Sequence, residues 1–259
     1  MTTAGRNGPK GVVVKTDQGY FCVDAADQFV SRELLDGRDW GVHELELATR
    51  HLDADARVLV AGAHIGSIAI PLSRICRELT AVEANPATCE LLRLNVLLNE
   101  RRNIRVVHAA ANDRNGEIEF VMNTLNSGGS KRMPKFPDLI YFHDARITHV
   151  PASRLDDLLD DAFDLVFMDI EGSEYFAFLG MQRILAHART LVVEFLPHHL
   201  SRVAGITVDD FLAPLAAHFD HLTIPTTGRV VARDDFRHAL QDMFDRDRGD
   251  PAIVFRKGA

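Results

Sequence analysis

Between Val58 and Phe195 the chain keeps a rhythm that few folds can accommodate: short apolar runs alternating with amphipathic, helix-like segments. Val58-Leu59-Val60-Ala61, Leu79-Thr80-Ala81-Val82, Ile104-Arg105-Val106-Val107, Leu165-Val166-Phe167-Met168 and Leu191-Val192-Val193-Glu194-Phe195 each read as a strand. Most lack a polar alternation, so both of their faces must be covered, which is the habit of parallel sheets with helices on either side. Ser67–Arg77, Leu155–Leu159, Glu174–His187 and Val208–His218 read as helices between them. Another runs from Pro86 to about Leu98, with Asn85 as its cap and proline in its first turn. His221–Ile224 and Ala252–Phe255, flanking a charged helical insert around Asp234–Phe244, bring the main strands to seven, and Ile118–Val121 adds an edge strand. The expected fold is α/β: a doubly wound, mostly parallel, seven-stranded Rossmann-like sheet with helices on both faces. A (β/α)8 barrel would need eight comparable units.

Residues 1–50 read as an N-terminal extension and cap, with β-prone pieces in Val12–Val30 and a helical pattern from Ser31 to Leu52. Residues 51–259 hold the sheet. Within them, 123–150 breaks the rhythm with Asn123, Asn126, Gly128, Gly129, Pro134 and Pro137, and a break of that length predicts a lid over a substrate. The formal charge is 29 − 37 = −8, which argues against a partner held by phosphate neutralisation, and no nucleic acid is expected. Three cysteines without a paired spacing, no leader-like start and no apolar run long enough for a membrane predict a cytoplasmic chain with no membrane partner. A homo-oligomer is compatible with all of this.

Ligands of such sheets lie beyond the carboxyl ends of the strands, at the switch point. After the first strand comes Gly62-Ala63-His64-Ile65-Gly66, small residues that let backbone turn sharply beside a ligand. Glu83 follows the second strand, 83 − 62 = 21 residues on, at the spacing of a carboxylate that reads ribose hydroxyls. A pyrophosphate cofactor asks for three glycines, whereas His64 crowds the middle position. S-adenosylmethionine has the ribose and adenine without phosphates and suits the relaxed pattern better. A nucleotide-dependent oxidoreductase is the less favoured alternative. Cofactor contacts are expected from Gly62, Ala63, His64, Gly66, Glu83, Ala84, Asn112, Asp113 and Asp169.

Asp169-Ile170-Glu171-Gly172-Ser173-Glu174, directly after a strand, resembles the D-x-E-G-x-E signature of the FkbM family of S-adenosylmethionine-dependent methyltransferases. The glycine turn, Glu83-Ala84-Asn85-Pro86, Asn95, Asn99, Leu155-Asp156-Asp157 and Val192-Val193-Glu194 follow in that family's order, over about residues 30–200. The chain departs from the pattern at Val60, where an acid is usual, and at His64, where asparagine is usual. The cofactor's amino group would then be held by Glu44 or by carbonyls of the glycine turn. The resemblance implies methyl transfer to a hydroxyl oxygen of a small acceptor, such as a sugar or natural product. A noncatalytic cofactor-binding or scaffold domain is the alternative in another class.

A hydroxyl attacks only as its proton is removed, so a base is needed. The strand-end candidates are Asp169, Glu171, Glu194 and His198, with Glu174 and Ser173 more at home in the helix terminus. Ser130-Lys131-Arg132 and Lys135 make the 123–150 segment locally basic, and could contact an anionic group. No recognised ligand spacing joins Asp169, Glu171, His143, Asp144 and His198, and no metal is expected.

Overall fold

The computed structural model describes residues 11–137 and 145–258. Its N-terminal part is a hairpin, β1 (Val12–Thr16) and β2 (Gly19–Val23), then two short helices, α1 (Val30–Leu35) and α2 (Val42–Thr49). The helical pattern over 31–52 is thus cut in two, with Gly37 and Gly41 between the halves, both at positive φ.

The large sheet starts with β3 (Arg57–Ala61), β4 (Glu78–Glu83) and β5 (Ile104–His108), separated by α3 (Ala69–Leu72) and α4 (Pro86–Leu98). Asn85 caps α4, accepting the Ala87 N–H at 3.0 Å. Then come the two-residue β6 (Ala110–Ala111), β7 (Gly116–Asn123), β8 (Lys131–Arg132), β9 (Ala145–Ser153) and α5 (Leu155–Leu158). The alternation resumes with β10 (Leu165–Met168), α6 (Glu174–Leu179), α7 (Gln182–His187) and β11 (Thr190–Phe195). A π-helical turn (His199–Ala204), α8 (Val208–Leu212), β12 (His221–Ile224), β13 (Arg229–Ala232), α9 (Phe236–Asp245) and β14 (Asp250–Arg256) end the chain.

The spatial order is β13-β12-β14-β11-β10-β3-β4-β5, eight strands where seven were expected, because β13 pairs with β12 at the edge. β3, β4, β5, β10 and β11 are parallel, and β14 runs antiparallel between β11 and β12. The order reverses at β3 and β10, which sets the switch point between Ala61 and Met168. The unbroken apolar runs have the anticipated cause. Leu59, Val166 and Leu191 pack into one core cluster, while Val58, Leu165 and Val192 pack into another on the opposite face.

Segment 123–150 is not one irregular lid. Ala145–Ser153 is a strand whose ladder with β7 runs from Gly116↔Ala152 to Asn123↔Ala145, and β8 pairs with β7 on the other side. Its polar residues, Thr148 and His149, and Pro151 within it hide the strand from a periodicity reading. Residues 138–144, with His143 and Asp144, lie outside the described residues.

The asparagines in the family-like pattern turn out to be joinery. Asn95, fully buried, accepts the Cys22 N–H at 2.6 Å and donates to Cys22 O and Ile65 O, tying β2 and the glycine turn to α4. Asn99 does the same for Tyr20 at the surface. Asp156 accepts the first N–H groups of α7, from Arg183 and Ile184. Among the described residues no helix is long and apolar enough to cross a membrane.

Candidate active site

A cavity of about 460 Å³ opens over the carboxyl ends of β3, β4 and β10, within the range of small-molecule sites. Gly62 makes it geometrically allowable. Its φ is +82°, and a Cβ there would come within 1.7 Å of the Asp169 carbonyl oxygen, so only glycine lets β3 and β10 end side by side. Two non-glycine residues of the lining also hold left-handed backbone, His64 at φ +49° and Glu171 at φ +56°. Such conformations cost of order 1–3 kcal/mol each and concentrate at functional sites.

Glu83 organises the wall next to the glycine turn. Its Oε2 accepts the His64 N–H at 2.8 Å, while Oε1 accepts the Asn85 N–H at 2.8 Å and the Thr88 hydroxyl at 2.9 Å. A carboxylate offers about four acceptor positions, so these three donors leave one for a ribose hydroxyl. Ala84, Ala109, Ala110 and Ala111, with Ile118 and Phe120, form an apolar wall beside it that suits an adenine ring. His64 reaches from the turn to Ser127, Nε2 to Oγ 2.7 Å, and Ser127 in turn donates its N–H (2.7 Å) and its hydroxyl to Asp27 Oδ2. Asp27, Ser127 and His64 thus strap the N-terminal segment to the glycine turn, a bridge that no local pattern announces.

The signature hexapeptide supplies the opposite wall. Asp169 and Glu171 line the cavity, and Asp169 Oδ1 is a buried acceptor with no protein partner. Burial, reinforced by Glu171, Glu174 and Glu44, pushes the Asp169 carboxyl well above the usual range. Glu174 faces inward beneath the loop, and its Oε1 accepts the N–H groups of Ile170 (3.0 Å) and Gly172 (3.4 Å). Burial raises it to about 7. Ser173 occupies the cap position of α6 but makes no side-chain cap bond, so the hexapeptide is not merely a helix start. From the N-terminal part, Trp40 and Glu44 complete the lining.

Several sequence expectations need correcting. His198 is exposed and outside the lining; its neighbour His199 is the buried one. His199 Nδ1 lies 2.9 Å from Glu194 Oε2, and its Nε2 lies 3.3 Å from Glu171 Oε2. Asn112 and Asp113 also lie outside the lining, because the chain turns away after Ala111. Asn112 bonds Ser153 O and Arg114 O, and Asp113 pairs with Arg114. Gly66 is packed behind the turn, where an added Cβ would meet Leu92 and Ile70. The basic run is spent on the protein itself. Lys131 pairs with Glu171 at 2.8 Å, Arg132 stacks 3.4 Å over the Phe176 ring, and Lys135 donates to Gly205 O. Glu194 lines the cavity as expected of a strand-end carboxylate, and burial among Asp169, Glu171 and Glu174 pushes its carboxyl well up. Sequence reasoning passes over His199 in favour of its neighbour, and Lys131, expected to meet an anionic group, meets Glu171 instead.

The model of the methyltransferase FkbM domain matches residues 61–247, from the last residue of β3 to beyond α9. This chain belongs to the FkbM methyltransferase family. The cofactor of these enzymes is S-adenosylmethionine, and the residues present fit it: a free acceptor position on Glu83, an apolar wall for the adenine, and an unpartnered buried oxygen on Asp169. No curated protein matches the chain. Among solved structures, an FkbM methyltransferase from Methylobacillus flagellatus KT is similar at 16% identity over 79% of this chain and 44% of that one, TM-score 0.46. This chain therefore spans less than half of that relative. A TehB-like S-adenosylmethionine-dependent methyltransferase from Corynebacterium glutamicum matches at 14% identity over 88% and 94% of the two chains, TM-score 0.49. An rRNA methylase from Streptococcus thermophilus matches at 8% identity over 84% and 95%, TM-score 0.48.

Proposed function

We propose that this FkbM-family chain is a methyltransferase that moves a methyl group from S-adenosylmethionine to a hydroxyl of a small acceptor without phosphate or carboxylate groups. The observation that carries this reading is the charge of the cavity wall. Glu44, Glu83, Asp169, Glu171 and Glu194 line it, and no lysine or arginine does among the described residues. A phosphodiester or carboxylate on the acceptor would find no lysine or arginine of the lining to pair with, which disfavours RNA and anionic sugars. A neutral polyol or phenol meets hydrogen-bond acceptors and the aromatic faces of Trp40 and Phe29.

When bound, the cofactor supplies a methyl group already activated by a sulfonium. The chain's task is to align the acceptor, exclude water and take one proton. Glu83 holds the ribose, and the alanine wall faces the adenine. Asp169 sits at the reaction centre, where its buried carboxyl receives a donor from the ligand. Glu171 and Glu194, on adjacent strand ends, are the carboxylates in place for the hydroxyl proton. Trp40 and Glu44 close the outer side.

Calorimetric titration with S-adenosylmethionine tests the first half, with saturable binding expected; none up to millimolar ligand removes the reading. Transfer of labelled methyl to a panel of monosaccharides and phenols, with phosphorylated sugars and RNA alongside, tests the second. Labelling confined to the phosphorylated members would overturn the acceptor class, and binding without any labelling would favour a noncatalytic domain.

A further inference from the structure

Four side chains around the π-helical turn make a continuous polar path that ends in two different parts of the cavity wall. Glu194 and Glu171 both line the cavity, and the buried His199 imidazole lies between them without reaching it. Its Nδ1 is 2.9 Å from Glu194 Oε2 and its Nε2 3.3 Å from Glu171 Oε2. Lys131, also buried, lies 2.8 Å from the same Glu171 oxygen and 3.4 Å from His199 Nε2. The two carboxylates differ in access: the Glu194 side chain is 11% exposed and that of Glu171 22%.

We propose that Glu194, His199 and Glu171 form a proton wire, biased by Lys131, that takes the acceptor's proton at the deeper carboxyl and delivers it to the shallower one. The inference rests on the transferase reading above and adds His199 and Lys131 to it as positioning residues. In this resting site Glu194 is a neutral acid whose Oε2–H donates to His199 Nδ1, and the Nε2–H faces the Glu171 carboxylate 3.3 Å away, which Lys131 pairs.

During transfer the acceptor O–H bond breaks as its proton arrives on Glu194 Oε1. The Glu194 Oε2–H proton passes to His199 Nδ1, and the Nε2 proton passes to Glu171 Oε2. Glu194 and His199 end as neutral as they began, Glu171 becomes a neutral acid, and the acceptor oxygen's electron pair forms the new bond to carbon. No electron changes hands in the wire.

The Lys131 Nζ contact to Nε2 at 3.4 Å has the geometry of the mirror arrangement, in which Nδ1–H donates to an ionised Glu194 and Nε2 accepts from Lys131; two features of charge and burial oppose that mirror. Glu194 is buried against Asp169, Glu171 and Glu174, so a further negative charge there is opposed from three sides. Burial together with Lys131 and His198 drives His199 down to about 2, so the imidazole stays neutral and can pass a proton only by exchanging its tautomer.

Nitrogen NMR of protein labelled at histidine decides between the two, with His199→Asn assigning the signal among the 12 histidines. The wild-type protein should show His199 with Nδ1 bare and Nε2 protonated. Lys131→Met removes the charge paired with Glu171, and the bare nitrogen should move to Nε2; Lys131→Arg should keep the wild-type pattern. A protonated Nδ1 or an imidazolium in the wild-type protein overturns the wire, as does a Lys131→Met spectrum that stays unmoved. These readings need no acceptor, so they stand apart from the fate of the methyl-transfer assay: failed transfer with the predicted tautomer would sink the function, whereas successful transfer with the wrong tautomer would sink the wire alone.

Discussion

Gly62→Ala tests the whole placement of the site, because Gly62 sits where β3 and β10 end together. A Cβ at this position would be 1.7 Å from the Asp169 carbonyl oxygen and 2.7 Å from its carbon. Both are backbone atoms, so no rotamer change relieves the contact, and the strand ends must part by more than an ångström. Overpacking of this kind costs about 1–3 kcal/mol. Forcing an L-residue into the left-handed region at φ +82° adds about 1–2 kcal/mol. For a chain of this size each kcal/mol lowers Tm by roughly 2–4 °C, so a loss of roughly 10 °C is expected in thermal unfolding followed by circular dichroism. Gly228→Ala is the control, since its φ is +66° but nothing lies within 4 Å of the added atom. It should lose only the backbone share, roughly 2–8 °C. S-adenosylmethionine binding should fall in Gly62→Ala and not in the control. If the two variants melt together, the close approach of β3 and β10 is wrong, and the switch-point cavity goes with it.

Glu83→Gln should weaken S-adenosylmethionine by about 10–100-fold in calorimetry, since hydrogen bonds to a charged group contribute about 1.5–3 kcal/mol; unchanged affinity would remove Glu83 from the ribose. Asn95→Ala strands Cys22 N–H, Cys22 O and Ile65 O inside the protein, and should cost about 2–4 kcal/mol in urea unfolding. A loss below half a kcal/mol would mean the hairpin is not tied to α4 through this residue. Burial lifts Glu174 from 4.5 to about 7, so between those values the folded protein keeps a proton that the unfolded chain has released. Stability must therefore fall as pH rises through that window, at up to about 1.4 kcal/mol per pH unit for this group. Asp169 and Glu194, also pushed up, act in the same direction. Glu174→Gln should flatten part of that slope in urea midpoints measured across the window, and a variant that keeps the full slope would show that Glu174 does not hold the proton.

What could be read from the sequence was what a strand or a short motif carries within itself. β3, β4, β10 and β11 are legible because burial on both faces demands unbroken apolar runs, and Glu83 and Asp169 are legible because each ends such a run. Elements whose reason lies elsewhere in the chain were missed or misjudged. β9 exists because β7 pairs with it, and β13 because β12 leaves an edge open. The helix expected over Glu174–His187 breaks at Gly180, where the Asn112 carbonyl packs so close that an added Cβ would sit 1.9 Å from it. No window around Gly180 contains Asn112.

The histidines show the same limit at the site. Two adjacent side chains cannot share one target, and of the pair at 198 and 199 the sequence points to His198 as the nearer to the strand end. The geometry of β11 and the turn after it makes the other choice: Glu194 projects to the cavity, and the turn brings His199, five residues on, back against it at 2.9 Å while His198 faces solvent. Lys131 is decided just as remotely. A basic run in a polar segment usually coats a surface, yet Lys131, on the ladder of β7 with β8, is buried against Glu171. That lysine pairs with one of the five acidic residues that line the cavity. The lining is therefore rich in acids, and one of them is paired by a lysine that does not itself line the cavity.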